Sequence, residues 1–158
     1  DIEFIAEDLG YIDDGVISLL AETGFPGMKI LQFAFEGTNS YYLPHNYIAN
    51  TVAYVGTHDN ETLAQWVYGA SDEVRSYAAE YLGTAPDALC EGILRAGMAS
   101  VADTFIAQMQ DYLGLGASAR MNVPGTVSTD NWSWRMDKEA LTPALAAKLK
   151  RLMQLYER

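Results

Sequence analysis

Apolar residues recur along this chain in two patterns: short continuous runs, and longer stretches with apolar positions three or four residues apart. The runs have the apolar, β-branched and aromatic composition of buried strands and lie at residues 2–6, 28–35, 51–55 and 104–109. The last run could also continue the helix before it, but its Phe-Ile pair favours a strand. The helical pattern covers residues 14–23, 61–68, 71–82, 86–99 and 142–157. Because strands alternate with helices, we predict an α/β fold with a parallel sheet and right-handed crossovers.

The first helical stretch carries clear boundary signals. Asp13 or Asp14 can cap its N-terminus, and Gly24 can end it. The apolar residues between positions 16 and 20 are expected on its buried face.

Two architectures fit this order of elements: an open doubly wound sheet, and part of a (β/α)8 TIM barrel. A complete barrel needs roughly 250 residues. The chain has 158, so the barrel interpretation predicts its C-terminal part, about four βα units. The sequence begins at Asp1 without an initiator Met and ends inside a helical pattern. We therefore expect it to be a fragment of a larger protein.

Polar and titratable residues gather where the third apolar run ends. Gly56 closes the run, and Thr57, His58, Asp59 and Asn60 follow, with Asn60 placed to act as a helix N-cap. In parallel α/β folds, ligands and catalytic groups lie at the C-terminal ends of the strands. This stretch is therefore a candidate site. A simple Asp-containing turn that caps a helix fits the same residues.

Charge and composition narrow the class of ligand. The formal net charge is −11, and the chain lacks the basic patch that a nucleic-acid backbone requires. Neutral sugars meet no such repulsion, and the 11% of aromatic residues offer ring faces for stacking. Cys90 is the single cysteine and is expected to be a packed thiol. With no signal peptide and no apolar run long enough to span a bilayer, we expect a cytoplasmic protein without membrane contact.

Glu7 follows the first apolar run much as Asp59 follows the third. Glycosidic-bond chemistry uses one carboxylic acid to protonate the leaving oxygen and further carboxylates to stabilise an oxocarbenium-like transition state. Carboxylates at strand ends also serve as helix caps, and spacing alone does not separate the two interpretations. His45 and His58 lack the close spacing of a metal-binding motif. The chain also has no dinucleotide or P-loop glycine motif, so no metal or cofactor is predicted.

Six sequence blocks in a fixed order carry a more specific signal. They are IAEDLG at residues 5–10, GFPGMKILQFAF at 24–35, YLPHNY at 42–47, VGTHDNET at 55–62, ARMNVPGT at 119–126 and NWSWR at 131–135. Together they resemble the C-terminal half of the 4-alpha-glucanotransferases, the amylomaltase or disproportionating-enzyme family of the α-amylase clan. The resemblance extends over nearly the whole chain.

The resemblance implies that residues 1–158 form the C-terminal half of a (β/α)8 catalytic barrel. It also implies a retaining transfer of α-1,4-glucan segments between maltooligosaccharides, without a cofactor. Glu7 matches the family's general acid/base, Asp59 the acid that stabilises the transition state, and His58 a histidine that contacts sugar. Further pocket residues suggested by the resemblance are Asn122, His45 and Glu36. For His45 and Asn122, side-chain hydrogen bonds that order a long loop fit equally well.

The chain departs from the family pattern at two points. No segment matches the block of the third acid, the aspartate nucleophile, and Asp8, Asp103 and Asp111 lie outside its context. Because a retaining mechanism needs a covalent ester on that carboxylate, the isolated chain is expected to be inactive. Asp130 stands where the family commonly has glycine before the Asn-Trp pair, which leaves the backbone of that loop unspecified.

Half a barrel leaves two sheet edges and an apolar face uncovered, so self-association of the isolated chain is expected. Two other functions fit the residues: a non-catalytic glucan-binding module that uses Glu7, His58 and Asp59, and a doubly wound sheet that binds a small ligand. Trp132 and Trp134 are expected to pack against the protein, with sugar stacking as the alternative.

Overall fold

The computed structural model describes residues 3–158. Its α-helices are α1 (Asp14–Thr23), α2 (Leu63–Gly69), α3 (Asp72–Leu82), α4 (Leu89–Ala99), α5 (Met109–Tyr112) and α6 (Pro143–Tyr156). Its strands are β1 (Gly27–Ile30), β2 (Thr51–Tyr54) and β3 (Thr104–Ile106), and short 3-10 turns lie between these elements.

The three strands form one parallel sheet in the order β1-β2-β3. Gly27 pairs with Thr51, and Val52 pairs with Thr104. All four residues of β1 are buried, as are the first three of β2, as is usual for the strands of a parallel sheet. The predicted α/β class with a parallel sheet is confirmed. The C-terminal ends of all three strands lie along one edge.

The prediction of a first strand at residues 2–6 is wrong for residues 3–6, and Ile2 lies outside the described residues. Residues 3–6 run without a strand ladder, and the backbone N–H of Ala6 donates to the carbonyl of Pro26 at 2.9 Å. Phe4 and Ile5 stay 55% and 51% exposed. One hydrogen bond to the neighbouring segment does not make a strand, whatever the composition of the run.

The second predicted strand is shorter than expected. The apolar run from residue 28 to 35 is buried through most of its length, but the backbone leaves the strand after Ile30 and forms a 3-10 turn over Leu31–Phe33. Within this turn Gln32 is buried, and its backbone N–H donates to the carbonyl of Val55 at 3.2 Å. A run that is mostly buried is therefore a strand over only part of its length.

Helix α1 has the predicted ends but not the predicted buried face. The Asp13 carboxylate accepts the Val16 N–H at 2.9 Å, and Gly24 ends the helix in the left-handed conformation. However, none of its residues is buried, and Ile17 and Leu19 are 57% and 60% exposed. The periodicity correctly marks an apolar face, but no described segment covers that face.

The remaining helices pack around an aromatic core beside the sheet. Phe35 is buried, and its ring lies 6.1 Å from that of Trp66 and 5.9 Å from that of Tyr81 between centroids. Helix α4 lies so close to β3 that a Cβ on Gly97 would fall 2.1 Å from the Phe105 ring. Among residues 3–158, no helix combines the length and the apolar character needed to cross a bilayer.

Candidate functional site

A cleft of about 660 Å³ opens at the edge where the strands end. Glu7, His58 and Asp59 line it together with the apolar side chains of Met28 and Ile106. The two carboxylates therefore face one hollow, although Glu7 precedes β1 and Asp59 follows β2. Both carboxylates are accessible to a ligand, since Glu7 is exposed and the Asp59 side chain is 45% exposed.

The loop that carries His58 and Asp59 is closed by its own side chains. The backbone N–H and the hydroxyl of Thr57 both donate to Asn60 Oδ1 at 2.8 Å. The sequence suggested Asn60 as the cap of α2, but its side chain is already engaged within the loop, so Asn60 does not cap this helix. Thr62 caps the helix instead, and its hydroxyl accepts the Gln65 N–H at 3.3 Å.

Neighbouring segments on both sides hold this loop in place. From the turn after β1, the Gln32 amide donates to the carbonyl of Glu61 at 2.8 Å. From the chain after β3, the Gln108 amide donates to the carbonyl of Thr57 at 2.8 Å. The Asp111 carboxylate accepts the N–H of Leu63, the first residue of α2, at 2.7 Å. The loop is thus fixed at its start, its end and the helix that follows.

A distant loop completes the surroundings of Asp59. The Asn122 amide donates to Asp59 Oδ1 at 2.7 Å, and Arg120 Nη2 donates to the Asp59 carbonyl at 2.8 Å. His58 Nε2 lies 3.4 Å from the same Asp59 oxygen, and its carbonyl accepts the Asn122 N–H at 3.1 Å. Asp59 is thus oriented by an amide and by an imidazole while its carboxylate stays open to the cleft.

Trp132 lies against His58, with 4.9 Å between the ring centroids. It is 54% exposed and has a φ of 63°, in a region that residues other than glycine rarely adopt. The backbone N–H of Trp132 donates to the carbonyl of Met121 at 2.7 Å. Asp130 is not among the residues with positive φ, so an aspartate fits the position where the family commonly has glycine.

Two of the predicted pocket residues lie away from the cleft. His45 Nδ1 is 2.9 Å from the Tyr81 hydroxyl of α3, and its backbone N–H donates to the same oxygen at 3.3 Å. His45 therefore orders its loop against α3. Glu36 is exposed in the turn that follows Leu31–Phe33 and does not line the cleft.

Burial raises the pKa of two side chains, the Asp111 carboxyl and the Cys90 thiol. Burial raises the pKa of Asp111 to about 6, and the hydrogen bond from Leu63 opposes part of that rise. Asp111 Oδ2 has no hydrogen-bond partner among the described residues. Burial also raises the pKa of the Cys90 thiol, as expected for a packed cysteine.

In the described part of the chain, no group of three or more His, Cys, Asp or Glu side chains is arranged to hold a metal ion.

Sequence reasoning did not single out Gln32, Gln108 or Arg120. Gln108 had a usable signal, because it lies two residues beyond β3 at the edge where functional groups gather. Arg120 lies inside the ARMNVPGT block, but its hydrogen bond to the Asp59 carbonyl joins two irregular loops that lie far apart in the sequence. No periodic pattern predicts such a contact.

The site thus combines a parallel sheet with two carboxylates that line one cleft at the edge where the strands end. The sequence model of one family, described as 4-alpha-glucanotransferase, matches residues 1–142, and the chain belongs to that family. This confirms the resemblance drawn from the six sequence blocks.

Individual relatives agree. The chain is 49% identical over its whole length to a 4-alpha-glucanotransferase from Clostridium butyricum and 40% identical to one from Thermus thermophilus, and it covers 33% of each. It is also similar to the structure of amylomaltase from Streptococcus agalactiae in complex with acarbose. That match has a TM-score of 0.93 and 48% identity, and it covers 98% of this chain and 32% of the other. The chain thus spans about a third of the length of these relatives.

Proposed function

We propose that residues 1–158 form the C-terminal part of the (β/α)8 catalytic barrel of a longer 4-alpha-glucanotransferase. The parallel sheet, with its polar groups at the C-terminal ends of the strands, is the arrangement that such barrels use for catalysis. Relatives of about three times the length support a longer protein. The substrates are α-1,4-glucans and maltooligosaccharides.

The observation that carries this proposal is the single cleft shared by Glu7, His58 and Asp59. In a retaining transfer, Glu7 protonates the glycosidic oxygen as the bond to the anomeric carbon breaks. The glycosyl group passes to a carboxylate and forms an ester. Glu7, now ionised, removes the proton from an acceptor hydroxyl, which attacks the anomeric carbon and displaces the carboxylate. Asp59 holds sugar hydroxyls and stabilises the positive charge that develops in both transition states.

The ester needs a third carboxylate that these residues do not supply. Among the described residues that line the cleft, the carboxylates are Glu7 and Asp59. Asp8 and Asp111 are buried with backbone N–H partners. Asp103 lines a different cavity at the N-terminal ends of the strands. We infer that the nucleophile lies upstream and that residues 1–158 alone are inactive.

The test is a disproportionation assay on maltotriose with the longer protein and with residues 1–158 alone. The longer protein is expected to release glucose and longer maltooligosaccharides, whereas the isolated chain releases neither. Glu7→Gln in the longer protein is expected to lower kcat by about 10³-fold, since general acid catalysis contributes about 10²–10⁴-fold. Glu139→Gln, at an exposed carboxylate outside the cleft, is the matched control and should leave kcat unchanged.

The possible outcomes separate the candidate functions. A longer protein that binds maltooligosaccharides but transforms none would indicate a non-catalytic glucan-binding module. Turnover by the isolated chain would contradict the upstream nucleophile. Full activity of Glu7→Gln would contradict the role of Glu7.

A further inference from the structure

We propose that Asp8 is a positioning residue that, together with Lys29, fixes the place of Glu7 at the cleft. The inference rests on the proposed role of Glu7 as the acid/base. It concerns a side chain that faces away from the cleft and so would touch no substrate.

Glu7 lies between two attachments to the chain around β1. On one side, the Ala6 N–H donates to the Pro26 carbonyl at 2.9 Å. On the other side, the Asp8 carboxylate accepts the Met28 N–H at 2.5 Å. The segment that carries Glu7 has no strand ladder, so the bond made by Asp8 is a main link between Glu7 and the sheet.

The side chains of Glu7 and Asp8 lie on opposite sides of the backbone. Glu7 and Met28 line the cleft, whereas Asp8 and Lys29 line a second cavity beside α1. Successive residues of extended backbone point to opposite sides, so the position of one acid dictates that of its neighbour. Moving Asp8 therefore moves Glu7.

Lys29 lies beside the Asp8 carboxylate and helps to hold it in place. Both side chains are buried, and Lys29 Nζ lies 3.9 Å from Asp8 Oδ2. The same ammonium lies 3.8 Å from the centroid of the Tyr41 ring, whose face attracts cations. A buried carboxylate needs such compensation, because without it the loss of hydration is unfavourable.

The close approach of Asp8 to β1 also requires glycine at position 27. A Cβ on Gly27 would lie 2.6 Å from Asp8 Oδ2, well inside van der Waals contact. The start of β1 therefore leaves room for this carboxylate. Asp59, by contrast, is held by Arg120 and Asn122, and Gln108 holds its loop at Thr57. Loss of Asp8 would therefore displace Glu7 and leave Asp59 in place.

The experiment compares two substrates in the longer protein. Maltotriose needs an acid to protonate its leaving oxygen, whereas the fluoride of α-maltosyl fluoride leaves with little protonation. Asp8→Ala is expected to lower kcat on maltotriose about 100-fold, as a displacement of about 1 Å can do, with KM changed by less than about threefold. First-turnover fluoride release should fall by less than about fivefold, because acid assistance contributes little there.

Two further variants complete the design. Asp8→Asn keeps an oxygen that accepts the Met28 N–H, so it should recover part of the loss and fall about tenfold short of the parent. Asp14→Asn, at an exposed carboxylate of α1, is the matched control and should behave as the parent does. Near-ultraviolet circular dichroism establishes that each variant is folded; if Asp8→Ala is not, Asp8→Asn decides the question by the same comparison.

Equal losses on the two substrates, or an unchanged kcat on maltotriose in a folded variant, would overturn the positioning role. If Glu7→Gln keeps full activity on maltotriose, the proposed function itself fails, and the inference fails with it. If Glu7→Gln is inactive and Asp8→Ala is unaffected, only the inference fails.

Discussion

The side-chain amide of Asn122 donates to the carboxylate of Asp59 across 2.7 Å. The same Asp59 oxygen lies 3.4 Å from His58 Nε2. A residue of a long irregular loop thereby controls the orientation of an acid that follows β2. This contact makes Asn122 more than a residue that orders its own loop.

Asn122→Ala in the longer protein should lower kcat/KM by about 10- to 100-fold, because a hydrogen bond to a charged group contributes about 1.5–3 kcal/mol. Steady-state kinetics on maltotriose measure the effect. Asn50→Ala removes a comparable side-chain bond, to the carbonyl of Gly24, and is the matched control. Equal kinetics for the two variants would argue against a role for Asn122 at Asp59.

Asp111 should make stability fall as pH rises from about 4 to about 6. Burial raises its pKa in the folded state from 3.8 to about 6, so over this interval the folded chain binds more protons than the unfolded chain. The stabilisation is complete below the unfolded pKa and is lost as pH passes the folded pKa. Its size is at most about 3 kcal/mol.

Urea unfolding at several pH values measures this dependence. Asp111→Asn should flatten the fall between pH 4 and pH 6, because the amide does not titrate and its oxygen can still accept the Leu63 N–H. Parallel curves for the parent and the variant would show that Asp111 does not carry the pH dependence.

Gly97→Ala should destabilise the chain by about 1–3 kcal/mol, the usual effect of forcing extra atoms into a packed core. The new Cβ would collide with the Phe105 ring, and helix α4 would have to move away from β3. Gly69→Ala is the control, since nothing lies within 4 Å of its Cβ position. Thermal unfolding should separate the two variants, and equal melting temperatures would contradict the close contact.

Residues 1–158 in isolation should self-associate through the uncovered face of α1, because exposed apolar side chains gain free energy when they are removed from water. Ile17→Gln together with Leu19→Gln should weaken the association. Leu141→Gln, at a position that is also 60% exposed, should not. Sedimentation over a range of concentrations measures the assembly, and a monomer at every concentration would refute the prediction.

The sequence predicted the starts of α1, α3 and α6 well. Asp13, Ser71 and Thr142 each accept a backbone N–H at a helix start, and such caps are visible in the sequence. The uncovered face of α1 was not predictable, since periodicity indicates an apolar face but not what covers it. The run from residue 28 to 35 is apolar apart from Lys29 and Gln32, and its composition does not reveal that the backbone leaves the strand after Ile30 and forms a 3-10 turn.

The position of the site was easier to predict than the hydrogen bonds that hold its loops in place. Parallel strands bring their C-terminal ends to one edge, so the place of Asp59 after β2 followed from topology. Glu7 was expected at the same edge because it follows the apolar run at residues 2–6, but residues 3–6 form no strand, and Glu7 reaches the cleft from an irregular segment. The contacts of Gln32, Gln108 and Arg120 depend on the exact paths of loops, which composition does not encode. Family resemblance supplied Asn122 but not the bond that it makes.

The bonds that join Arg120 and Asn122 to Asp59 span 61 and 63 residues of sequence. Both residues therefore lie downstream of all three strands. A chain that ended at residue 107 would contain every strand of the sheet but neither of these two bonds to Asp59, so the surroundings of this acid are completed only by residues beyond the sheet.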